Sequence, residues 1–348
     1  MQHVAVIYGG SSAEFYFVEQ SQMGLFQSLA FMFYITFQQA YFMGIMFLIA
    51  GFFTAGSYNR KGFTRFIRER FKRLIIPALI FIVFISPFIK YVQLGVKISD
   101  DSLIDFILSF SVMWFTIALF IFSFIYGCIR KLSHKDIPDR QNTNINTSFS
   151  NLLVLILFIA ICAFLIRIFI PIPVKFAGIR IGFFASYVIL FIVGIFSYRC
   201  DLFTQIRYRT GKRWLIGGIV ISCVGWYALA WTAILTGNIS AGEGGINAFS
   251  AVFALWESFT AIAICVGLIG TFKEKFNKQN KLVKAMSDSS FAVFMFHPPI
   301  VVGLVLLFRP VILPPIVKFY ILCPICIVLS FLVAHFVVRK IPLLKEIL

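Results

Sequence analysis

Charge is scarce in this chain, and acid is scarcer still. Only 13% of its 348 residues are charged, with 14 Asp and Glu against 31 Lys and Arg. That is about half the charged share of a typical soluble chain. It excludes an ordinary soluble domain, and the longest polar stretch, the 130–150 loop, is too short to form one. The seven cysteines are odd in number and lie mostly in apolar runs, which excludes a disulfide framework. Cys323-Pro-Ile-Cys326 has redox-motif spacing but no second pair beside it, so both sulfurs read as small buried hydrophobes and no metal is expected. Neither an internal repeat nor a lipidation motif is visible. A basic segment followed by an apolar one does not open the sequence, so no signal peptide is expected there.

What the chain has in abundance is apolar length. Hydrophobic residues make up 60% of it, and phenylalanine alone supplies 44. A span needs about 20 mostly apolar residues to cross a ~30 Å hydrocarbon core. Nine runs qualify: 38–57, 74–94, 113–129, 152–171, 181–199, 214–236, 247–271, 289–308 and 316–338, with 22–36 leading into the first. Lipid leaves bare backbone groups unsatisfied, so such runs must be helices. The expected fold is therefore all-α: a polytopic transmembrane helix bundle forming one membrane domain over 1–348.

The net charge of +17 invites a nucleic-acid reading, which its distribution excludes. Basic residues cluster in alternate loops: Arg60 to Arg73, Arg130 to Arg140, Arg199 to Arg213, Lys273 to Lys284, and Arg339 to Lys345. The intervening loops hold only Lys90, Lys97, Lys175, Arg180, Arg309 and Lys318. The basic side is cytoplasmic by the positive-inside rule, which places the C-terminus there. The expected partners of this charge are membrane lipids with acidic headgroups.

With nine full spans and a cytoplasmic tail, the N-terminus should lie outside. Yet Met1-Gln-His3-Val-Ala-Val-Ile-Tyr8-Gly-Gly10 is an apolar stub too short to cross. It reads as the outer end of a first span whose beginning is missing, giving ten spans in the intact protein. A genuine external start is the alternative.

Polar residues at span depth are costly, about 2.5–3.5 kcal/mol for a charge on insertion scales. Glu257, in Leu255-Trp256-Glu257-Ser258, lies near mid-depth, and Arg167 lies toward the outer end of another span. They form either a structural ion pair or separate water-lined sites, or else Glu257 belongs with Trp256 to an acceptor pocket, where an aromatic face and a carboxylate would suit sugar hydroxyls. His297 stands in Phe296-His297-Pro298-Pro299. Two prolines donate no backbone hydrogen bonds, which frees carbonyls one turn upstream for a side chain or water. His297 is thus either a hydrogen-bonded histidine at a kink or a histidine lining a cavity. His335 is read as reaching the interface, and His134 has no assigned role. Gly44 and Gly51, seven apart, are read as a close helix contact. Arg70 and Arg73, three apart before Pro77, share a helix face. They are either a topological anchor or a phosphate clamp, since guanidinium forks suit phosphate oxygens.

In order along the chain, His3-Val-Ala-Val-Ile-Tyr8-Gly9, Gly44 to Gly51, Arg70-Phe-Lys-Arg73-Leu-Ile-Ile-Pro77 and Met113-Trp114-Phe115 resemble the acyltransferase 3 family of integral membrane acyltransferases. Tyr187 to Gly194, Trp256-Glu257-Ser258, Phe291 to Pro299 and Arg339-Lys-Ile-Pro342 continue the pattern. The similarity covers nearly the whole chain and looks closest to the branch associated with glucan modification.

The resemblance implies a ten-helix bundle in the plasma (inner) membrane. It implies transfer of an acyl group, acetyl or succinyl, from cytoplasmic acetyl-CoA or succinyl-CoA to a hydroxyl of an envelope glycan or lipid-linked sugar. His3 matches the family's catalytic histidine. A neutral imidazole, reference pKa ~6.5, can take a proton from a hydroxyl, an effect of roughly 10²–10⁴ in rate. Arg70 and Arg73 match the family's Arg-x-x-Arg pair and would hold the CoA phosphates. Trp114, Arg167, Trp256, Glu257 and His297 are the substrate-binding candidates. The family's basic residue about three helical turns before the histidine has no counterpart, since the sequence begins two residues before His3. The competing readings are a transporter or flippase with Glu257, Arg167 and His297 along its pathway, and a truncated relative without activity.

Overall fold

The computed structural model describes residues 1–10, 19, 23–89, 111–133, 148–176 and 179–345. In chain order its helices are α1 (Gln2–Gly9), α2 (Leu25–Arg70), α3 (Ile76–Ile80), α4 (Trp114–Leu132), α5 (Phe149–Phe169), α6 (Phe184–Arg199), α7 (Leu202–Gln205), α8 (Tyr208–Thr236), α9 (Ala248–Lys275), α10 (Lys281–Phe308), α11 (Pro315–Phe336) and α12 (Pro342–Lys345). Strands β1 (Lys175–Phe176) and β2 (Ile179–Arg180) pair antiparallel, Lys175 opposite Arg180. The chain is overwhelmingly helical, as its apolar runs require.

Eight described helical stretches are long and apolar enough to cross a membrane. The first runs Leu25–Ile89, 65 residues. At 1.5 Å per residue that is roughly 100 Å, about three times the thickness of a hydrocarbon core. It is interrupted at Gly62, whose φ of 68° and ψ of 174° no helical residue adopts. Only glycine takes that conformation cheaply. The apolar runs 38–57 and 74–94 fall on either side of it. Five-residue π-turns at Phe71–Ile75 and Phe81–Ile85 flank α3. The first ends two residues before Pro77, which leaves the Arg73 carbonyl without its usual donor. The other apolar runs coincide with α4, α5, α6, α8, α9, α10 and α11. The far end of the 74–94 run, most of the 130–150 loop, His134, Lys90, Lys97, Lys135 and Arg140 lie outside the described residues.

Two of the helix starts are capped by asparagine. Asn247 Oδ1 accepts from the Ser250 amide at the head of α9, and Asn280 Oδ1 accepts from Val283 at the head of α10, both at 2.8 Å. Each satisfies an amide that the first turn leaves unpaired.

The chain forms two compact units. The first comprises Met1–Ile35, Glu69–Phe120 and Gln279–Leu348. Its core packs Val4 to Tyr8 of α1 with Phe31, Phe81, Met295, Val302, Val305, Leu322, Cys323 and Cys326. Both cysteines of the CxxC spacing are thus core residues, and all seven cysteines are free thiols.

The second unit comprises Thr36–Arg68 and Ile121–Lys278. Its core joins Leu48, Ile156, Ile159, Leu190, Ile262 and Cys265. Here α2 and α6 cross with their backbones in contact. A side chain at Gly51 would collide with the Phe191 carbonyl, and one at Gly194 with the Leu48 carbonyl. The expected close approach at Gly51 is therefore present, and Gly194 is its other half.

Candidate active site

In the first unit, α1 is held by its apolar face: Val4, Ala5, Ile7 and Tyr8 are fully buried. Gln2 Nε2 donates to the Ile35 carbonyl at 3.2 Å, fixing the start of the helix. This places the His3 ring against His297 of α10, centroids 5.1 Å apart and planes 19° from parallel. The sequence treated the two separately; the fold stacks them.

Backbone chemistry orients His297. Pro298 has no N–H to give the Phe294 carbonyl one turn back. His297 Nδ1 occupies that carbonyl at 2.8 Å and also lies 3.1 Å from the Val293 carbonyl. Carbonyl oxygens only accept, so Nδ1 carries hydrogen and, in the neutral ring, Nε2 is the acceptor nitrogen. The freed carbonyl expected from His297-Pro298-Pro299 is thus taken up by the histidine itself.

Trp114, at the head of α4, reaches the same region through rings. It stands edge-on to Phe115 at 6.4 Å, Phe115 stands edge-on to Phe294 at 5.9 Å, and Phe294 lies 6.3 Å from His297.

Arg70 ends α2 and Arg73 lies in the π-turn that follows. Both sit in the polar stretch between two apolar runs. Arg70 is half-buried and Arg73 exposed. Burial pushes the Arg70 guanidinium down to about 10, with Arg73's charge adding to the fall and Glu69 opposing it. It therefore remains a cation at neutral pH.

The second unit contains its own buried polar centre. Arg167 of α5 and Glu257 of α9 form an ion pair, 1% and 4% exposed. Arg167 Nε donates to the Gly182 carbonyl at 3.0 Å, and its guanidinium faces the rings of Phe183 and Phe253. Phe253 stacks on Trp256 at 5.7 Å, and Trp256 Nε1 donates to the Ser222 carbonyl at 2.8 Å. The structural pair weighed from sequence is present, and the Trp256 N–H is already engaged by α8. Arg167 Nη1 is buried without a hydrogen-bond partner among the described residues, so one donor of the pair is unsatisfied.

Two groups were given no site role from the sequence. Tyr187 of α6 receives the Gln39 amide at 2.9 Å, a partner 148 positions away. Lys318, counted among the loop cations, is only 4% exposed. It is paired with Glu19 at 2.6 Å and lies over the Tyr8 ring. No local motif marks it; the nearest signal was its place just inside an apolar run.

A family model described as an acyltransferase domain, Acyl_transf_3, matches residues 4–335. The chain belongs to the acyltransferase 3 family and is an integral membrane acyltransferase. The match includes Arg70, Arg73, Trp114, Arg167, Trp256, Glu257 and His297, and begins at the residue after His3. No curated protein and no solved structure matches the chain.

Proposed function

We propose that the protein is an O-acyltransferase moving an acetyl or succinyl group from acyl-CoA to a hydroxyl of an envelope glycan or lipid-linked sugar. The observation that carries this reading is the stacked His3–His297 pair, with His297 oriented by the Pro298-freed carbonyl. His3 takes the proton of the acceptor hydroxyl as its oxygen bonds to the acyl carbon. The thioester C–S bond then breaks, and the departing CoA sulfur recovers the proton. While His3 is protonated, the neutral His297 ring lies against its face, an arrangement favourable to a cation. Arg70 and Arg73 hold the donor's phosphates through charge-assisted bonds, each worth about 1.5–3 kcal/mol. The basic loops face the cytoplasm of a plasma membrane, where acyl-CoA is supplied.

The test uses the whole protein reconstituted in membranes with radiolabelled acetyl-CoA and succinyl-CoA. Transfer of label to the glycan or lipid fraction should disappear in His3→Ala while donor binding persists. Donor binding itself should weaken at least tenfold in the Arg70→Ala, Arg73→Ala variant. Transfer that survives His3→Ala would remove the assignment of the chemical step.

A further inference from the structure

We propose that the outward face at the head of α8 binds an anionic phospholipid, headgroup and acyl chain together. A cavity of about 620 Å³ lies there, lined by Tyr208, Arg209, Lys212, Arg213, Ile216 and Gly217. Three of these side chains are cations and none is acidic. Lys275, from the end of α9, adds a fourth cation over the Tyr208 ring at 5.3 Å.

The register of α8 separates its two faces. Gly211, Gly218 and Ser222 turn toward α9: Gly211 meets Gly270, Gly218 meets Ala263, and Ser222 bonds Thr260 at 2.8 Å. On the far side, Lys212, Ile216, Val220 and Val224 recur every four residues in one row. The three apolar members are each more than half exposed. Cations therefore stand at one end of a bare aliphatic row. That order matches a lipid, whose phosphate would meet Arg209, Lys212 and Arg213 while its chain follows Ile216, Val220 and Val224. A soluble phosphate ester would use the cations and have no need of the row.

The charge placement also runs against helix stability. The first turn of a helix carries partial positive charge, which favours acids there, and α8 has none. Arg209 lies in that turn and opposes the dipole unless an anion offsets it, with Lys212 and Arg213 one turn further on. Bound lipid supplies that anion.

The experiment is native mass spectrometry of the full chain, released from nanodiscs holding phosphatidylglycerol and phosphatidylcholine with identical acyl chains. The wild type should retain phosphatidylglycerol in preference. The variant Arg209→Gln, Lys212→Gln, Arg213→Gln should lose that preference tenfold or more, since each cation near an anionic surface contributes about 1 kcal/mol. The matched variant Lys278→Gln, Lys281→Gln, Lys284→Gln removes equal charge elsewhere and should retain it. Equal losses in both variants would mean diffuse attraction, and no loss in the first would empty the site; either overturns the proposal. Displacement of the lipid by coenzyme A would also overturn it, assigning the groove to a soluble ester. Should the triple variant melt early, the three single substitutions read in the same assay must each lower the preference. None of these readouts depends on acyl transfer, so failure here and failure of the acyltransferase mechanism are separable.

Discussion

At the scale of single residues, the His297 ring and its Nδ1 hydrogen bond have separable consequences. If the aromatic face beside His3 is what matters, His297→Phe should keep transfer within about threefold of wild type, whereas His297→Leu should lose roughly tenfold to thirtyfold in kcat, the size of a desolvated cation–π contact. The KM for acyl-CoA should move in neither. Steady-state kinetics on folded, membrane-reconstituted protein distinguishes this from a packing defect, because Leu and Phe both fill an apolar site. Glu257 carries the opposite expectation. Replacing it by Gln leaves the Arg167 guanidinium buried without its counter-charge, which costs about 3–5 kcal/mol. Thermal unfolding in detergent should show a marked fall for Glu257→Gln. The paired change Arg167→Met, Glu257→Leu should recover much of it, since no unpaired charge remains.

At the scale of elements, the tightest contact is the α2–α6 crossing. A single methyl group at Gly194 has nowhere to go, because the Leu48 backbone occupies its position. Gly194→Ala should therefore force the helices apart and destabilise the second unit by about 1–3 kcal/mol, the usual range for overpacking. Thermal unfolding would check it, with half-buried Gly217→Ala, where nothing lies within reach of a new methyl, as the control that should not lose stability. The interruption at Gly62 belongs to the same scale. A 65-residue helical stretch had to break within its polar middle, and the break falls at the glycine of Arg60-Lys61-Gly62.

At the scale of the molecule, what was legible in the sequence was what depends on composition and period. Apolar runs mark helices because lipid permits little else. Thus α4, α5, α6, α8, α9, α10 and α11 fall where their runs do, and the ordered motifs identify the family. The Pro298 effect was also legible, because it acts over one turn. What could not be read was pairing between distant segments. His3 and His297 are 294 positions apart, Arg167 and Glu257 are 90 apart, and Lys318 finds Glu19 across 299. Each residue alone carries two readings, buried structural group or site residue, and only the packing of helices decides which neighbours it meets. Lys318 shows the cost of counting charges by loop: it enters the same tally as a surface cation although it is buried.

The hydrogen bond from His297 to the Phe294 carbonyl exists because position 298 withholds a donor. A mutational scan of this helix should then show stability and activity moving in opposite directions at one codon. Pro298→Ala would return an amide to that carbonyl and raise the melting temperature, as replacing an interior proline does. The same change would release the imidazole from its tether and lower turnover. A proline that touches no substrate would thereby rank among the intolerant positions of the enzyme, and a search for stabilising substitutions would select its removal.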